Sequence, residues 1–352
     1  MRKSSGVALA TAAAGLAAGV VAERLAVKKR RARDSEAGQR FGAKRGERSH
    51  HLEMPDGARL FIEESGPRSK RGVVFVHGSS LRTDMWHYQM DAFDGRRLVL
   101  YDQRGHGLSQ PKGESEYSIE RLAGDLRAVI EDAGLEEVVV VGHSVGGMVG
   151  QQLCLDHPEL QGGVIKGLVL MNTTYGPAIE TMLGGAAIAR FDRFARHPFD
   201  LLGSQSVRLD KLRAVIRPSD AMFWGVAFAA FGPGASARQI DFVYDMTSET
   251  ASDVIFDLVR SYRNFDARDR LAEITVPCLV VSGTEDRLTL SDASSYLADH
   301  LPKAELQLLE GAGHMSMMER HAEVNRMLDR FFTDTLGRRG RSTAGKTDKG
   351  SK

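Results

Sequence analysis

The chain has 352 residues, of which 42% are hydrophobic, enough for one large α/β domain or two ordinary ones with a sizeable core. This composition excludes a fibrous or wholly disordered protein. The net charge of +1 is unevenly distributed: residues 1–50 carry +8 and residues 337–352 carry +5, so the segment between them carries −12. Because nucleic-acid-binding proteins place basic residues within the folded region, this acidic body argues against nucleic-acid binding.

Residues 4–22 contain no charged side chain and consist mainly of Ala, Val, Leu and Gly. Their number is close to the roughly 20 residues that cross a bilayer as a helix. The basic cluster from Lys28 to Arg33 opposes export through a cleaved signal peptide, and the positive-inside rule places the body of the protein in the cytoplasm. We therefore expect a membrane anchor within residues 1–27. A cleaved signal peptide and a soluble cytoplasmic protein are the alternatives.

The remaining segments differ in composition. Residues 28–50 are charged and poor in apolar side chains, typical of a solvated linker. Residues 51–333 form the predicted folded domain, and the basic, Gly- and Ser-containing residues 334–352 are predicted to be disordered.

Short apolar runs alternate with amphipathic helices along the domain, and residues 119–133 have the apolar spacing of a helix with one buried face. The runs typical of buried strands lie at 58–64, 72–76, 97–101, 138–141, 167–171, 278–282 and 304–309. This alternation predicts an α/β fold with a mostly parallel sheet covered by helices on both faces.

The stretch Gly142-His143-Ser144-Val145-Gly146 follows a run of valines and precedes a helical segment. A strand that turns sharply into a helix is the context in which Gly-x-Ser-x-Gly forms a nucleophile elbow. The glycines permit a turn that a Cβ would obstruct, and the turn lifts the serine hydroxyl clear of the sheet edge. Ser144 is therefore the candidate nucleophile, while His143 points away from the reacting side and receives no catalytic role.

A serine hydroxyl is a poor nucleophile until a base takes its proton, and that base needs a carboxylate to fix its tautomer. Of the eleven histidines, His314 has the best context, because it follows a strand through a flexible glycine-containing loop. Asp286 comes directly after the preceding strand and is the candidate acid, with Glu285 as the alternative. The chain order Ser, Asp, His fits a triad at the carboxyl edge of such a sheet.

Catalysis also requires donors for the oxyanion that develops on the attacked carbonyl. The backbone N–H groups of Val145 and Ser79 are the candidates. Other polar residues near these loops are interpreted as structural braces: His77, Asp102, Arg104 and His106.

Between about residues 175 and 269 the strand pattern gives way to helical segments rich in aromatic and Met residues, interpreted as a cap over the sheet. Large apolar groups beside a nucleophile should line an apolar acyl or alkyl pocket. The candidate pocket residues are Trp86, Met182, Phe223 and Trp224.

Five blocks, in chain order, resemble the α/β-hydrolase superfamily, in particular its esterase- and lipase-like members with a helical cap: His77-Gly78, Asp102 to Gly107, Gly142 to Gly147, Gly283 to Asp286, and Gly311 to His314. The resemblance covers residues 51 to 333 and implies an eight-stranded sheet, a cap inserted after the sixth strand and an acyl-serine intermediate. By position it makes Ser144 the nucleophile, Asp286 the acid and His314 the base. It makes Ser79 and Val145 the oxyanion donors.

The sequence differs from several related families at motif positions, and each difference weakens the case for the family concerned. The chain has Ser79-Ser80-Leu81 where proline iminopeptidases and carbon–carbon bond hydrolases usually have Gly-Pro-Gly. Haloalkane dehalogenases and epoxide hydrolases have Asp in place of Ser144. Haloperoxidase-like perhydrolases and enol-lactonases commonly have Met in place of Val145.

Together these observations predict a membrane-tethered serine hydrolase that cleaves carboxylic esters with an apolar acyl or alcohol part, so its partner is a small apolar or lipid-like ester. An acyltransferase, perhydrolase or lactonase with the same triad, and a ligand-sensing module with negligible turnover, are the alternatives. No cofactor or metal is expected, because metal-ligand spacings are missing from the sequence. Cys154 and Cys278 have apolar neighbours and are interpreted as buried free thiols.

Overall fold

The computed structural model describes residues 21–110, 116–185, 205–206, 208–211 and 220–337. The strands are β1 (Arg48–Glu53), β2 (Arg59–Ser65), β3 (Arg71–Val76), β4 (Leu98–Tyr101), β5 (Glu137–His143), β6 (Ile165–Met171), β7 (Cys278–Gly283) and β8 (Ala304–Leu309). The helices are α1 (21–32), α2 (His87–Ala92), α3 (Ile119–Asp132), α4 (Val145–Asp156), α5 (Ala178–Thr181), α6 (Asp220–Ala230), α7 (Ala237–Glu249), α8 (Ser252–Asn264), α9 (Ser291–His300), α10 (Ser316–Glu319) and α11 (His321–Leu336).

The eight strands form one sheet in the order β1-β2-β4-β3-β5-β6-β7-β8. Strand β2 pairs antiparallel with β1 and β4, and all other neighbours are parallel. The predicted fold class, a mostly parallel sheet flanked by helices, is therefore confirmed.

Strand β5 lies at the centre of the sheet and shows why its sequence is a run of valines. Val138 and Val140 pack into the core on the side of α3 and α4, whereas Val139 and Val141 pack on the side of α2 and α11. Successive side chains of a strand point to opposite faces, so a strand covered by helices on both faces must be apolar at every position.

Strand β1 is the one strand that the apolar pattern does not reveal. Its sequence, Arg-Ser-His-His-Leu-Glu, is polar, and its side chains are exposed or half-buried. It pairs along its full length with β2 at the edge of the sheet, in a register that places Arg48 opposite Glu64. The folded domain therefore begins before residue 51, because backbone pairing at an edge does not require apolar side chains.

The sequence predicts a solvated linker over residues 28–50, and the structure differs. This segment lies against the domain: Val27 before it and Phe41 within it are buried in the core on the α2 side. Asp34 Oδ2 accepts a hydrogen bond of 2.9 Å from the Ser236 hydroxyl at the start of α7. Several of the charged residues that suggested solvation instead pair with the domain, as Arg31 does with Asp241 and Arg45 with Glu63, so composition gave the wrong indication here.

Helices α6, α7 and α8 lie between β6 and β7, in the segment for which the sequence predicts a cap. Within the described part of residues 172–277, every regular element is a helix. Helix α7 contributes Ile240 and Val243 to the core on the α2 side, and α8 contributes Val254 and Leu258 to the core on the other side.

Both cysteines are buried free thiols, as predicted. The predicted anchor, residues 4–22, lies outside the described residues except for its last two positions. The predicted disordered tail, residues 334–352, begins too early, because α11 continues to Leu336 and buries that side chain; beyond residue 337 the tail lies outside the described residues. Among the helices of the described chain, none combines the length and the apolarity that a membrane crossing needs.

Candidate active site

Ser144 occupies a sharp turn between β5 and α4. Its backbone has φ 53° and ψ −121°, a conformation that costs a non-glycine residue on the order of 1–3 kcal/mol. The neighbouring chain passes so close that a Cβ on Gly142 would lie 2.3 Å from the Gly146 carbonyl oxygen, and one on Gly146 would lie 2.3 Å from the Val76 carbonyl oxygen. The two glycines of the motif are therefore required by close backbone contact, and they hold Ser144 in its strained conformation.

Asp286 and His314 form a buried hydrogen-bonded pair. His314 Nδ1 lies 2.9 Å from Asp286 Oδ2 and 3.1 Å from Oδ1, and both side chains are almost completely buried. Asp286 follows β7 and His314 follows β8, so parallel strands deliver both residues to the same edge of the sheet. With Nδ1 donating to the carboxylate, Nε2 of a neutral His314 is free of its proton and can act as a base.

Several donors hold the Asp286 carboxylate in place. Oδ2 accepts from Asn172 Nδ2 at 2.9 Å and from the Thr289 hydroxyl at 2.8 Å, and Oδ1 accepts from the backbone N–H groups of Leu288 and Thr289 at 2.9 Å. Burial alone would raise the pKa of Asp286, but the neighbouring His314 imidazole and these donors lower it to about 2. Asp286 is therefore ionised at neutral pH. Glu285, the alternative acid, instead lies 3.3 Å from Arg287.

Asn172 is a site residue that the sequence analysis did not identify. It has a positive φ of 47° directly after β6, and its Nδ2 donates both to Asp286 and to the Gly313 carbonyl at 3.2 Å. Its Oδ1 accepts a short hydrogen bond from the Ser316 hydroxyl. A polar residue at the carboxyl end of a buried strand was the available signal, because a buried amide must find partners.

His143 connects the elbow to the loop of His314. Its Nε2 lies 3.0 Å from the His314 carbonyl oxygen, and the two rings are 4.7 Å apart between centroids. Burial lowers the pKa of His143 well below its usual value, so the neutral ring donates one hydrogen bond to that carbonyl. This contact holds the loop of His314 beside the residue that precedes Ser144.

The two candidate oxyanion donors belong to residues on the wall of one cavity, together with Ser144 and His314. The neighbouring Ser80 has a positive φ of 59°, and its N–H donates to His106 Nε2 at 3.0 Å. The N–H of Ser80 is therefore already bonded, which favours Ser79 as the donor from this loop.

The residues interpreted as structural braces do brace these loops. His77 accepts from the Gln103 N–H at 2.9 Å and lies 2.7 Å from the Gly78 carbonyl oxygen, and burial lowers its pKa to about 4. Asp102 accepts from the N–H groups of Thr83 and Leu108, each at 2.8 Å.

His106 and Arg104 hold the same turn. His106 is likewise buried, which lowers its pKa to about 3. Arg104 makes two hydrogen bonds to Asp125 and one to Asp56.

The cavity at Ser144 has a volume of about 450 Å³ and lies between the sheet edge and the cap. No Asp, Glu, Lys or Arg is among the described residues that line it. Its apolar wall includes Leu81, Val145, Met148, Ile179, Met182, Val243, Ile255, Val259, Leu288 and Met315. An uncharged wall favours a substrate without charge, because a buried charge without a partner is costly.

Of the four predicted pocket residues, Met182 alone lies on the described wall of this cavity. Trp86 is fully buried against Phe75, with ring centroids 4.9 Å apart, and Phe223 is buried in the core on the α2 side. Trp224 lies on the outer surface of α6. The prediction for these three was wrong because an aromatic pattern marks burial but does not reveal which helix face meets the cavity.

Within the part of the chain that the structure describes, no group of three or more His, Cys, Asp or Glu side chains is arranged to hold a metal ion.

Comparison with known proteins places this geometry in a family. Residues 72–321 match the family model of the α/β hydrolase fold. A non-heme chloroperoxidase of Streptomyces lividans is 30% identical over 276 residues, which cover 76% of this chain and 94% of that protein.

Solved structures agree. Est816, described as an N-acyl homoserine lactone degrading enzyme, is 27% identical, with a TM-score of 0.58 over 80% of this chain and 100% of its own. An esterase from Exiguobacterium antarcticum is 18% identical and shares the fold, with a TM-score of 0.64 over 81% of this chain and 99% of its own. With its eight-stranded sheet, its serine at a strand–helix elbow and these relatives, the chain belongs to the α/β-hydrolase fold family.

Proposed function

We propose that this protein is a serine hydrolase that cleaves carboxylic esters with an apolar acyl or alcohol part through an acyl-serine intermediate. The observation that carries this proposal is that Ser144, in its strained turn, and His314 line the same uncharged cavity, while Asp286 is hydrogen-bonded to His314 behind that wall. A nucleophile, an oriented base and an ionised acid at one cavity are the parts that acyl transfer requires.

In the first half of the reaction, Ser144 Oγ attacks the ester carbonyl carbon while its proton moves to His314 Nε2. Negative charge develops on the carbonyl oxygen, where the N–H groups of Val145 and Ser79 stabilise it. Asp286 stabilises the imidazolium that forms. The bond to the alcohol oxygen then breaks, and that oxygen takes the proton from His314 to leave as the free alcohol.

In the second half, water adds to the acyl-serine carbonyl and gives its proton to His314 Nε2. The bond between the acyl carbon and Ser144 Oγ breaks, and Oγ recovers its proton. The products are a carboxylic acid and an alcohol, and the enzyme returns to its starting state. No cofactor enters these steps.

The cavity supports a small or medium-sized neutral substrate. A volume of about 450 Å³ lies within the ~300–1,000 Å³ range of ligand pockets. Ser144, His314 and Thr289 supply polar groups from the sheet edge, and the cap adds Thr247 and Tyr262 to a wall that is otherwise mainly apolar. An ester group at the polar end with an apolar chain on the wall satisfies both parts.

The test is covalent labelling by a fluorophosphonate, which reacts with an activated serine, combined with hydrolysis of p-nitrophenyl esters of increasing chain length. Ser144→Ala should abolish labelling and lower turnover by several orders of magnitude. Ser295→Ala on α9, whose hydroxyl bonds its own helix, is the matched control and should behave as wild type. Labelling that persists in Ser144→Ala would refute the nucleophile assignment. Labelling without ester turnover would favour the ligand-sensing alternative.

Lactones are a second candidate substrate class, since the 27% identical relative degrades N-acyl homoserine lactones. A lactone is a cyclic ester, so the same steps apply and the alcohol remains attached to the acyl product. Mass spectrometry of reactions with linear esters and with acylated lactones would separate the two substrate classes. Competing alcohols or hydrogen peroxide in the same reactions would reveal acyl transfer or perhydrolysis, which the 30% identical chloroperoxidase relative makes worth testing.

We also propose that residues 4–22 anchor the protein in a membrane with the catalytic domain on the cytoplasmic side. Their uncharged sequence and the basic residues that follow support this topology. Ala12→Arg with Leu16→Arg in the full chain should release it from membranes washed with carbonate, because each central arginine costs ~2.5–3.5 kcal/mol in insertion. Ala12→Leu with Leu16→Ala is the control. Equal release of both variants and wild type would contradict the anchor.

A further inference from the structure

Helix α6 has a composition that its position does not explain. From Ala221 to Ala230 it contains no polar side chain, and helices that are apolar all round are normally enclosed. Phe223 is indeed buried, but Trp224 is 37% exposed and Phe228 is 63% exposed. Large apolar side chains in one exposed cluster mark an interaction surface.

These residues belong to one surface, which we call the cap face: Leu183, Met222, Trp224 and Phe228, all exposed. Leu183 is joined to it because its N–H donates to the Arg287 carbonyl at 2.9 Å, while the Arg287 guanidinium lies 4.8 Å from the Phe228 ring centroid. Within α6 the exposed Phe228 lies on a different face from Ala230, which lines the cavity at Ser144.

Two arginines lie beside the aromatic rings of the cap face, and one of them, Arg287, also lies 3.3 Å from Glu285. The Arg30 guanidinium lies 5.5 Å from the Trp224 ring centroid, and Arg287 flanks Phe228 on the other side. Lys28 and Lys29 of α1 are exposed next to Arg30 in sequence. Aromatic groups with a basic rim are typical of surfaces that rest in the interface of an anionic bilayer, where lysine and arginine meet lipid phosphates.

Helix α1 directly follows most of the predicted anchor in sequence and lies beside the cap helix α6. It packs beside α6, where Arg31 lies 3.4 Å from Asp220, and Val27 is buried beneath it. The described chain begins at Val21, whose side chain is exposed, and the uncharged residues 4–20 precede it. A membrane that received this segment would lie next to the cap face.

We propose that the cap face docks on the surface of an anionic lipid bilayer, with Trp224 and Phe228 inserted at the level of the headgroups. This contact goes beyond ester hydrolysis and beyond the anchor, because it is made by the cap itself. It holds the domain at the lipid surface, where apolar esters are concentrated.

The two tryptophans allow a direct test in the full chain. Trp86 is 0% exposed, so Trp224 is the exposed reporter. The probe is vesicles of brominated phosphatidylcholine and phosphatidylglycerol, because bromine on acyl chains quenches tryptophan only at short range. Vesicles should shift emission to the blue and quench it, and Trp224→Phe, which retains Trp86, should abolish both changes.

Three outcomes would overturn the proposal. Trp224 could remain open to aqueous iodide and unquenched by brominated vesicles, which would exclude lipid contact. It could be shielded from iodide before vesicles are added, which would mean that other residues of this chain cover it. It could become shielded with rising protein concentration and without lipid, which would identify a second copy as the occupant.

A surface variant separates docking from chemistry. Phe228→Ser should weaken lipid quenching of Trp224 and lower hydrolysis of an ester embedded in vesicles about tenfold, the amount expected from one large apolar side chain. Hydrolysis of a soluble short-chain ester should stay unchanged. Equal rates of variant and wild type on the embedded ester would contradict docking. Failure of the wild type to hydrolyse the soluble ester would instead contradict the proposed function and leave the quenching test of docking unaffected.

Discussion

The Asp286 carboxylate accepts hydrogen bonds from several groups besides His314. The carboxylate is buried, so every lone pair left without a donor would raise its energy. The Asn172 amide, the Thr289 hydroxyl and two backbone N–H groups supply those donors, and the carboxylate still faces His314 Nδ1. The acid is therefore fixed before any substrate binds.

Asp286→Asn tests this role. The amide has no negative charge to stabilise the His314 cation, and its NH2 group can donate to Nδ1 and fix the wrong tautomer. We therefore expect kcat to fall about 10⁴-fold with fluorophosphonate labelling reduced but the fold intact. Glu285→Gln is the control, because Glu285 pairs with Arg287 instead. Steady-state kinetics on a p-nitrophenyl ester measure both, and similar losses in the two variants would show that the acid is misassigned.

The same residue should make stability depend on pH in acid. The pKa of Asp286 is about 2 in the folded protein against 3.8 ordinarily, so its contribution is complete above pH ~4 and is lost as pH falls toward 2. Urea unfolding of wild type and Asp286→Asn between pH 2 and 6 should show the wild-type advantage shrinking over this window. A difference in unfolding free energy that is constant with pH would contradict the assigned pKa.

At the scale of elements, Glu319 of α10 joins the cap to the loop of His314. Its Oε2 accepts from the Gly232 N–H after α6 at 2.8 Å, and its Oε1 accepts from the Gly313 N–H at 2.9 Å. Burial raises the pKa of Glu319 to about 7, although the two N–H groups oppose this shift. Cap and loop are thus tied together through one carboxylate.

Glu319→Gln should show a pH-dependent effect on stability. Between about pH 4.5 and 7 the folded wild type holds a proton on Glu319 that the unfolded chain releases, so wild-type stability falls relative to the variant as pH rises through this range. Urea unfolding of both proteins at pH 5 and pH 8 measures this change. The idea fails if the difference in unfolding free energy is the same at both values.

Two glycines in the same fold should respond oppositely to alanine. A Cβ at Gly142 would overlap the Gly146 backbone, so Gly142→Ala must distort the elbow and lower both stability and activity. Gly124 lies in α3 with no atom within 4 Å of a Cβ, so Gly124→Ala should raise the free energy of unfolding by ~0.5–1 kcal/mol. Denaturant melts of the pair would decide, and a stable, active Gly142→Ala would contradict the close contact.

Across the whole molecule, the strands that were easiest to predict from the sequence are the buried ones. Strands β3 to β7 are covered on both faces, so their side chains had to be apolar and were visible as runs. The elbow could be predicted because close backbone contact requires its glycines. Asp286 and His314 could be proposed because they are polar residues that follow apolar strands. Strand β1 and the packing of residues 28–50 could not be predicted in this way. An edge strand or a segment held by salt bridges can have the same charged composition as a solvated linker.

Residues 28–50 precede the residues that match the family model, 72–321, yet they pack against the domain. Phe41 is 7% exposed and packs between Phe242 of α7 and Tyr88 of α2, at centroid distances of 5.1 and 5.6 Å. Removing a buried phenylalanine costs ~3–5 kcal/mol, so Phe41→Ala should lower the free energy of unfolding by about that amount.

Phe228→Ala, an exposed phenylalanine on the cap face, is the matched control and should change stability by less than ~0.5 kcal/mol in the absence of lipid. Urea denaturation followed by circular dichroism compares the two variants. If Phe41→Ala were as mild as Phe228→Ala, the segment would be a linker after all. A large loss would instead show that residues 28–50 are packed as part of the folded domain, in contact with α2 and α7.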